Sequence, residues 1–408
     1  MDKTTWQRVK LGEIGKITTG KTPSQNNPQD WGDETLFITP SDYKNYYKYA
    51  KNSIRKISKE GKTRFKNIIL PKNSILVTCI GSDMGKVVIN YKECLTNQQI
   101  NSITPNAKVL YNFLYYHMVF LYPVLKNFGL SGTAIPILNK SDFENIEISL
   151  PPLETQHKIA EILSSLDDKI DLLHRQNKTL ESLALTLFRH TFIDNPNRDE
   201  WKIGKLGDWI AETIGGDWGK EKPINDFQEK VFCIRGTDIA DLNKGLADKT
   251  PIRYIKKNKL SMLEPKEGDI IFEISGGTET QSTGRCVFVN QQVKTLFKYP
   301  IIFSNFCRLL KVKKKEYSYF LYLYLQYLYH NDEFFALENG TSGIKNLNYK
   351  ALFYELEYKM PSEIQVIEFH TKVKIYFDKI NANKKQIQNL QSMRDIMLPK
   401  LLSGEMEV

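Results

Sequence analysis

Cysteine is scarce in this sequence: Cys79, Cys94, Cys233, Cys286 and Cys307 are the only five among 408 residues, far apart and never in a CxxC pair. That argues against a disulfide framework and a zinc site, so the five are expected to be reduced and buried. Long apolar runs are missing as well. No stretch approaches the roughly 18 uninterrupted apolar residues of a membrane span, and the start, MDKTTWQRVK, lacks the apolar core of a signal peptide. A soluble cytoplasmic protein with no membrane association is the expectation. The six histidines (His117, His157, His174, His190, His330, His370) show no HExxH or paired spacing, so no metal site is expected. No GxxxxGK[ST] phosphate loop is present; the glycine-rich run from Ser275 to Arg285 lacks the Lys-Ser/Thr ending and reads as a hairpin loop. Pro151-Pro152 is flanked by Leu150 and Leu153, which is not the Asp/Asn-Pro-Pro-aromatic motif of amino methylation of bases. Asp269 and Glu273 end a strand-like run, yet Ile274-Ser275 follows where a nuclease would carry lysine.

What the chain does carry is basic charge, unevenly placed. The net charge is +10, with 20 basic and 12 acidic residues in 1–150 against 25 and 23 in 193–361. From Lys44 to Lys72 ten basic residues meet one acid, Glu60, and are interleaved with Tyr46, Tyr47 and Tyr49, just after Tyr43. Lys and Arg release counterions from phosphates while rings pack on sugars and bases, so this texture suits a nucleic acid; a solvated lysine-rich face is the alternative.

The chain also repeats itself. Trp6 to Ile14 (WQRVKLGEI) returns as Trp201 to Trp209 (WKIGKLGDW), and Phe37 to Tyr43 has a counterpart in Cys233 to Ile239. Pro71 to Val77 matches Pro265 to Ile271, Thr96-Asn97 matches Ser304-Asn305, Ser131 to Thr133 matches Asn339 to Thr341, and Pro152 to Gln156 matches Pro361 to Gln365. A period this long means two copies of one module, each followed by a proline-started helical segment.

Within the modules, short β-rich runs (Ser74 to Thr78, Lys86 to Asn90, Asp269 to Ile274, Arg285 to Asn290) alternate with Gly, Asn and Asp turns. Tyr111 to Tyr122 and Tyr317 to Tyr329 read as buried helices, their aromatic stripes (Tyr115, Tyr116, Phe120; Phe320, Tyr324, Tyr327) as core rather than stacking platforms. After Leu153 the period becomes a heptad seam, Leu163, Leu166, Ile170, Leu173, Asn177, Leu180, Ala184 and Leu187, and a second seam runs from Val366 to Leu401. Two matched seams predict an antiparallel pair of helices, each spanning about 54 Å at about 1.5 Å per residue. Asn177 and Asn383 interrupt the seams just past mid-helix and are expected to meet and fix the register. The fold class is thus α/β (α+β): two mixed modules joined by two long helices that form an antiparallel coiled coil, with pseudo-twofold internal duplication.

This arrangement resembles the DNA specificity subunit of type I restriction-modification systems. The carrying residues are Trp6 with Leu11 to Ile14, Ser131 to Thr133, Ile146 to Leu153 (IEISLPPL) and Gln156 to Leu163 (QHKIAEIL), then Phe232 to Ile239, Gly268 to Phe272 and Thr283 to Arg285. The likeness runs over essentially the whole chain and is most specific in the Pro-Pro-Leu-x-x-Gln segment; the second copy, Met360 to Gln365, has one proline instead of two. The resemblance implies a first target recognition domain over 1–151, a coiled-coil helix over 152–193, a second target recognition domain over 194–360, and a second helix and tail over 361–408. It also implies that each domain reads one half of a split double-stranded DNA target, and that two methyltransferase (M) subunits and restriction (R) subunits are recruited. S-adenosylmethionine, ATP and magnesium then belong to those partners and no cofactor to this chain, which is not itself an enzyme. Two modules on one rod would read half-sites about one helical turn apart.

Arginine suits guanine, and Gln or Asn suits adenine, in the major groove, while many such residues only cap turns. The candidate base or phosphate readers are Lys21, Thr22, Ser24, Thr39, Ser41, Lys48, Lys51, Arg55, Lys56, Ser82 and Gln98 in the first half. In the second half they are Trp218, Lys220, Arg235, Thr237, Thr278, Gln281 and Arg285, with Asp42, Asp83 and Asp238 nearby. A coiled-coil adaptor whose basic modules bind RNA or protein, and a stand-alone nuclease or base methyltransferase, are the competing readings.

Overall fold

The computed structural model describes residues 6–45, 47–81, 83–127, 137–340 and 344–408, and it divides into two compact units, 1–172 with 388–408 and 173–387. The division passes through both long helices, so each unit holds one module together with a portion of each helix.

In the first unit, a five-stranded sheet runs in the order Gly15–Thr19, Ile100–Pro105, Ile75–Thr78, Val87–Asn90, Tyr49–Ala50. Its neighbours are antiparallel except the last pair. The central strand Ile75–Thr78 is buried along its whole length, which is why it reads as a continuous apolar run rather than an alternating one. A three-stranded sheet places Trp31–Ile38 between Arg55–Ile57, antiparallel, and Cys94–Thr96, parallel. Gln7–Lys10 pairs with Glu147–Leu150, tying the start of the module to the strand that leads into the first long helix.

The second unit repeats these pairings except that of Tyr49–Ala50 with Val87–Asn90. Ile210–Gly215, Cys307–Val312, Ile270–Glu273 and Cys286–Phe288 form an antiparallel sheet in that order. Phe227–Ile234 lies between Ile252–Lys256, antiparallel, and Ile301–Phe303, parallel, and Lys202–Gly204 pairs with Tyr358–Met360. The duplication extends to a steric detail. A Cβ at Gly20 would overlap the carbonyl oxygens of Thr96 and Asn97, and a Cβ at Gly216 would overlap those of Phe303 and Ser304, so both copies need glycine where one strand end crosses the other. Each unit has one private addition. The first has the edge strand Tyr49–Ala50, and the second a small sheet of Ser275–Gly276, Lys345–Leu347 and Glu338–Asn339. The run from Ser275 to Arg285 is therefore more than a hairpin loop, because its first two residues pair with Lys345–Leu347 in this added sheet.

The module helices are Tyr111–Phe120 and Ser318–His330, and Tyr115, Tyr116, Phe320 and Tyr324 are buried in the cores; Phe120, 37% exposed, lies at the edge. All five cysteines are free and buried, and burial pushes the thiols of Cys79, Cys94, Cys233 and Cys286 up to about 12.

The first long helix is Leu153–Phe188, followed by a wider turn over Arg189–Ile193, and the second is Glu363–Leu402. The duplicated glutamines start them differently. Gln156 is buried, and its Nε2 donates to the carbonyls of Lys108 and Pro151 while its Oε1 accepts from Leu110 N, which anchors the helix to its module. Gln365 instead closes a capping box, its Oε1 accepting from Ser362 N at 2.9 Å, with Ser362 standing where the first copy has Leu153. Within the second unit the helices run antiparallel: Asn177 meets Asn383, and eleven residues further along the first helix Phe188 meets Phe369, fourteen residues back along the second. Within the first unit Ile159, Leu163, Leu398 and Leu401 share one core with the module.

Candidate nucleic-acid interface

Each unit opens a cleft lined by residues from separate loops. In the first unit the cleft has a volume of about 410 Å³ and gathers Lys21, Thr22 and Ser24 with Asn27, Asp30 and Arg64. Lys21 is placed by its own backbone, whose N–H donates to the Thr96 carbonyl at 2.8 Å. Thr22 Oγ1 donates to Gln98 Oε1 at 2.7 Å, which joins two of the candidate readers. Ser24 Oγ accepts from Asn26 N and caps its own turn. Asp30 is fully buried, and Arg64 Nε lies 3.2 Å from its Oδ1.

The second cleft has a volume of about 670 Å³ and brings together Trp218, Arg235, Thr237, Thr278, Gln281 and Arg285. Two arginines are clamped there. Arg235 gives Nε and Nη2 to the two carboxylate oxygens of buried Asp238, and Nη2 also donates to the Lys249 carbonyl. Arg285 gives Nε to Glu273 Oε2 at 2.8 Å and Nη2 to Oε1 at 2.5 Å. In both cases the hydrogen bond to the carboxylate holds the guanidinium above its usual range. Glu273 is 1% exposed and lies under the Arg235–Gly236 turn, where a Cβ at Gly236 would overlap its Oε1. Phe306 and Asn305 complete the wall, and Arg253 stacks on Trp218 with its guanidinium carbon 4.1 Å from the ring centre.

The remaining candidates fall elsewhere. Thr39 accompanies Asp42 in a turn cap equivalent to that of Arg235 and Asp238: Thr39 N and Oγ1 both donate to Asp42 Oδ2 at 2.8 Å, and Ser41 Oγ lies 2.8 Å from Thr39 Oγ1. Lys51 is exposed and Lys56 half-buried, while Arg55 lies over Trp31 and Phe37 with its guanidinium carbon 4.9 Å from each ring centre. Lys220 is exposed outside the cleft, over Phe227. Ser82 lies outside the described residues, as do Ser131 to Thr133 and Thr341.

Lys48 corrects the expectation. It is 5% exposed, and its ammonium donates to Tyr116 Oη at 3.1 Å and Ser164 Oγ at 2.9 Å and lies 4.6 Å from the Tyr116 ring centre. A cation so enclosed has no phosphate to meet. Burial lowers its pKa to about 8, against the opposing pull of Asp167 and Asp168. Lys48 is therefore a junction between module and long helix, and the basic run loses one contact.

Sequence reasoning singled out neither Arg64 with Asp30 nor Arg253, Asn305 and Phe306. The Asp30–Arg64 pair is separated by the strands Trp31–Ile38, Tyr49–Ala50 and Arg55–Ile57 and leaves no local spacing to read, whereas Phe306 follows the recognised Ser304-Asn305 repeat and was within reach.

Among the described residues, no group of three or more His, Cys, Asp or Glu is placed to hold a metal ion, and no helix is long and apolar enough to cross a membrane. The module is thus duplicated, with an arginine at the cleft of each copy. Residues 3–182 match the family model described as type I restriction modification DNA specificity domain. The MjaIX type I restriction enzyme specificity subunit of Methanocaldococcus jannaschii is 30% identical over an alignment of 428 positions, covering 99% of this chain and 94% of that protein. The MjaVIII specificity subunit of the same organism is 25% identical, covering 74% of this chain and 75% of its own length. The crystal structure of the type I restriction-modification S subunit from M. genitalium shares the fold, with a TM-score of 0.55 at 16% identity over 97% of this chain and 96% of that one. The chain belongs to the type I restriction-modification DNA specificity subunits. As such it is a non-catalytic recognition subunit.

Proposed function

We propose that the chain binds double-stranded DNA at a bipartite target, one half-site per unit, and recruits two methyltransferase subunits and the restriction subunits that act there. The observation that carries this reading is the gathering of separate loops into one cleft in each copy of the module, with the ion-paired Arg64 at the first and two clamped arginines at the second. Of the remainder of the basic run, the exposed Lys51 and Arg55 and the half-buried Lys56 supply sequence-independent attraction to phosphates. S-adenosylmethionine, ATP and magnesium act in the partner subunits. In the second unit, the Asn177–Asn383 pair holds the helix register, because a buried amide pair satisfied in one alignment penalises the others. Selection of bound duplexes from a random library by the chain with its methyltransferase subunits tests the reading. Enrichment of two short motifs at a fixed separation is expected; a library that emerges unselected contradicts it.

A further inference from the structure

The two clamped arginines of the second cleft differ in what they have left to give. A guanidinium has five N–H donors in a rigid fork. Arg235 spends Nε on Asp238 and both protons of Nη2 on Asp238 and Lys249, so a single nitrogen, Nη1, remains. Its side chain is 37% exposed. Arg285, which lines the cleft, spends Nε and one proton of Nη2 on Glu273, and the end of its fork, Nη1 with the other Nη2 proton, is left over from that clamp. Those two parallel donors match the paired acceptors O6 and N7 of guanine, and no other base offers two acceptors there. The clamp itself is rigid, because Glu273 sits beneath the Gly236 backbone with no space for a Cβ. Preorganisation of this kind removes the side-chain ordering cost that a free surface arginine meets on binding.

We infer that Arg285 is a specificity-determining residue of the second unit, reading a guanine through O6 and N7, that Glu273 is its positioning residue, and that Arg235 contributes charge. This rests on the reading of the chain as a DNA-binding subunit. The phenyl face of Phe306, 43% exposed on the same cleft, gives the base an apolar neighbour. Lysine at position 285 would keep the charge but lose the fork, which separates base reading from phosphate attraction.

The test uses the full chain with its methyltransferase subunits and duplexes carrying the selected target. Replacing guanine by 7-deazaguanine, one position at a time, removes N7 without disturbing base pairing and leaves the protein unaltered. The expected result is a loss of affinity of about tenfold or more at one guanine of the second half-site. Arg285→Lys should lose a similar factor on the natural duplex, relax selection at that same position only, and show no further loss with the 7-deaza base there. Glu273→Gln should relax the same position more weakly, and Arg235→Lys should leave base preference unchanged. A second half-site without guanine, or an Arg285→Lys chain that keeps full selectivity, overturns the inference while leaving DNA reading intact. A wild-type complex without any sequence preference overturns the functional reading and this inference with it.

Discussion

The two units share one topology and fill their helix junctions with different chemistry. In the first unit the junction sets a polar network beside its apolar contacts: Lys48 meets Tyr116 and Ser164, Tyr116 Oη donates to Asp167 Oδ2 at 2.7 Å, and Arg394 Nη1 donates to Asp167 Oδ1 at 3.0 Å. In the second unit it is aromatic. Phe188 is fully buried with Phe192, Phe320, Tyr324 and Phe369 around it, and Tyr319 stacks on Phe377 at 4.5 Å. Strand order and the glycine crossings persist while the junction side chains do not, so the repeated feature is the backbone path, and each copy satisfies it with its own packing. The clefts diverge in the same way. The sheet added to the second unit begins at Ser275–Gly276, which line its cleft, and that cleft is the larger one.

The largest expected effect separates the two junctions. Phe188→Ala should destabilise the second unit by about 3–5 kcal/mol, the range for a large aromatic removed from a core, with little effect on the first. Asp167→Ala should destabilise the first unit by about 1–3 kcal/mol, because Tyr116 and Arg394 both lose an acceptor. Hydrogen exchange resolved along the chain reads both; equal loss of protection in the two units from either change would erase the distinction.

The amide pair gives a sharper version. Asn383 Nδ2 donates to Asn177 Oδ1 at 2.9 Å, and the two side chains are 1% and 6% exposed. Asn177→Leu alone leaves the buried Asn383 amide with only its 3.5 Å contact to Gln176 Oε1 and should cost about 1–3 kcal/mol, whereas the double Leu variant should recover most of that in urea unfolding. A double variant no more stable than the single one would show that the pair has no special role.

The smallest effect is the pH dependence that Lys48 adds to the first unit. The folded-state pKa of Lys48, about 8, lies below its unfolded value, so the unfolded chain binds more protons between the two. The cost of burying the ammonium is thus fully present below about pH 8 and is relieved as the pH rises above it. Relative to Lys48→Met, the wild type should gain on the order of 1 kcal/mol from pH 8 to 10. Parallel unfolding curves for the two proteins over that interval would contradict the assignment.

These contrasts also show what the sequence makes legible. The duplication, the two seams and the encounter of Asn177 with Asn383 follow from spacing along the chain, because a helix converts sequence separation directly into position. The gathering of Thr22 with Gln98, and of Arg235 with Thr278 and Arg285, depends on loops brought together by sheet order, so residue type suggested the members while only the fold assembles them. Lys48 misled because a lysine in a basic run looks solvated, and its burial is decided by Tyr116 and Ser164, which are distant in sequence. The private strands were illegible for a related reason: two-residue strands such as Tyr49–Ala50 have no periodicity to read.

The central claim, that each unit reads its own half of the target, is tested most directly by exchange of one module. Residues 1–151 would be replaced by the corresponding module of another specificity subunit, the chain produced with its methyltransferase subunits, and methylated adenines mapped by long-read sequencing. One half of the methylated motif should change and the half read by the second unit should remain. A change in both halves, or in neither, would contradict the account.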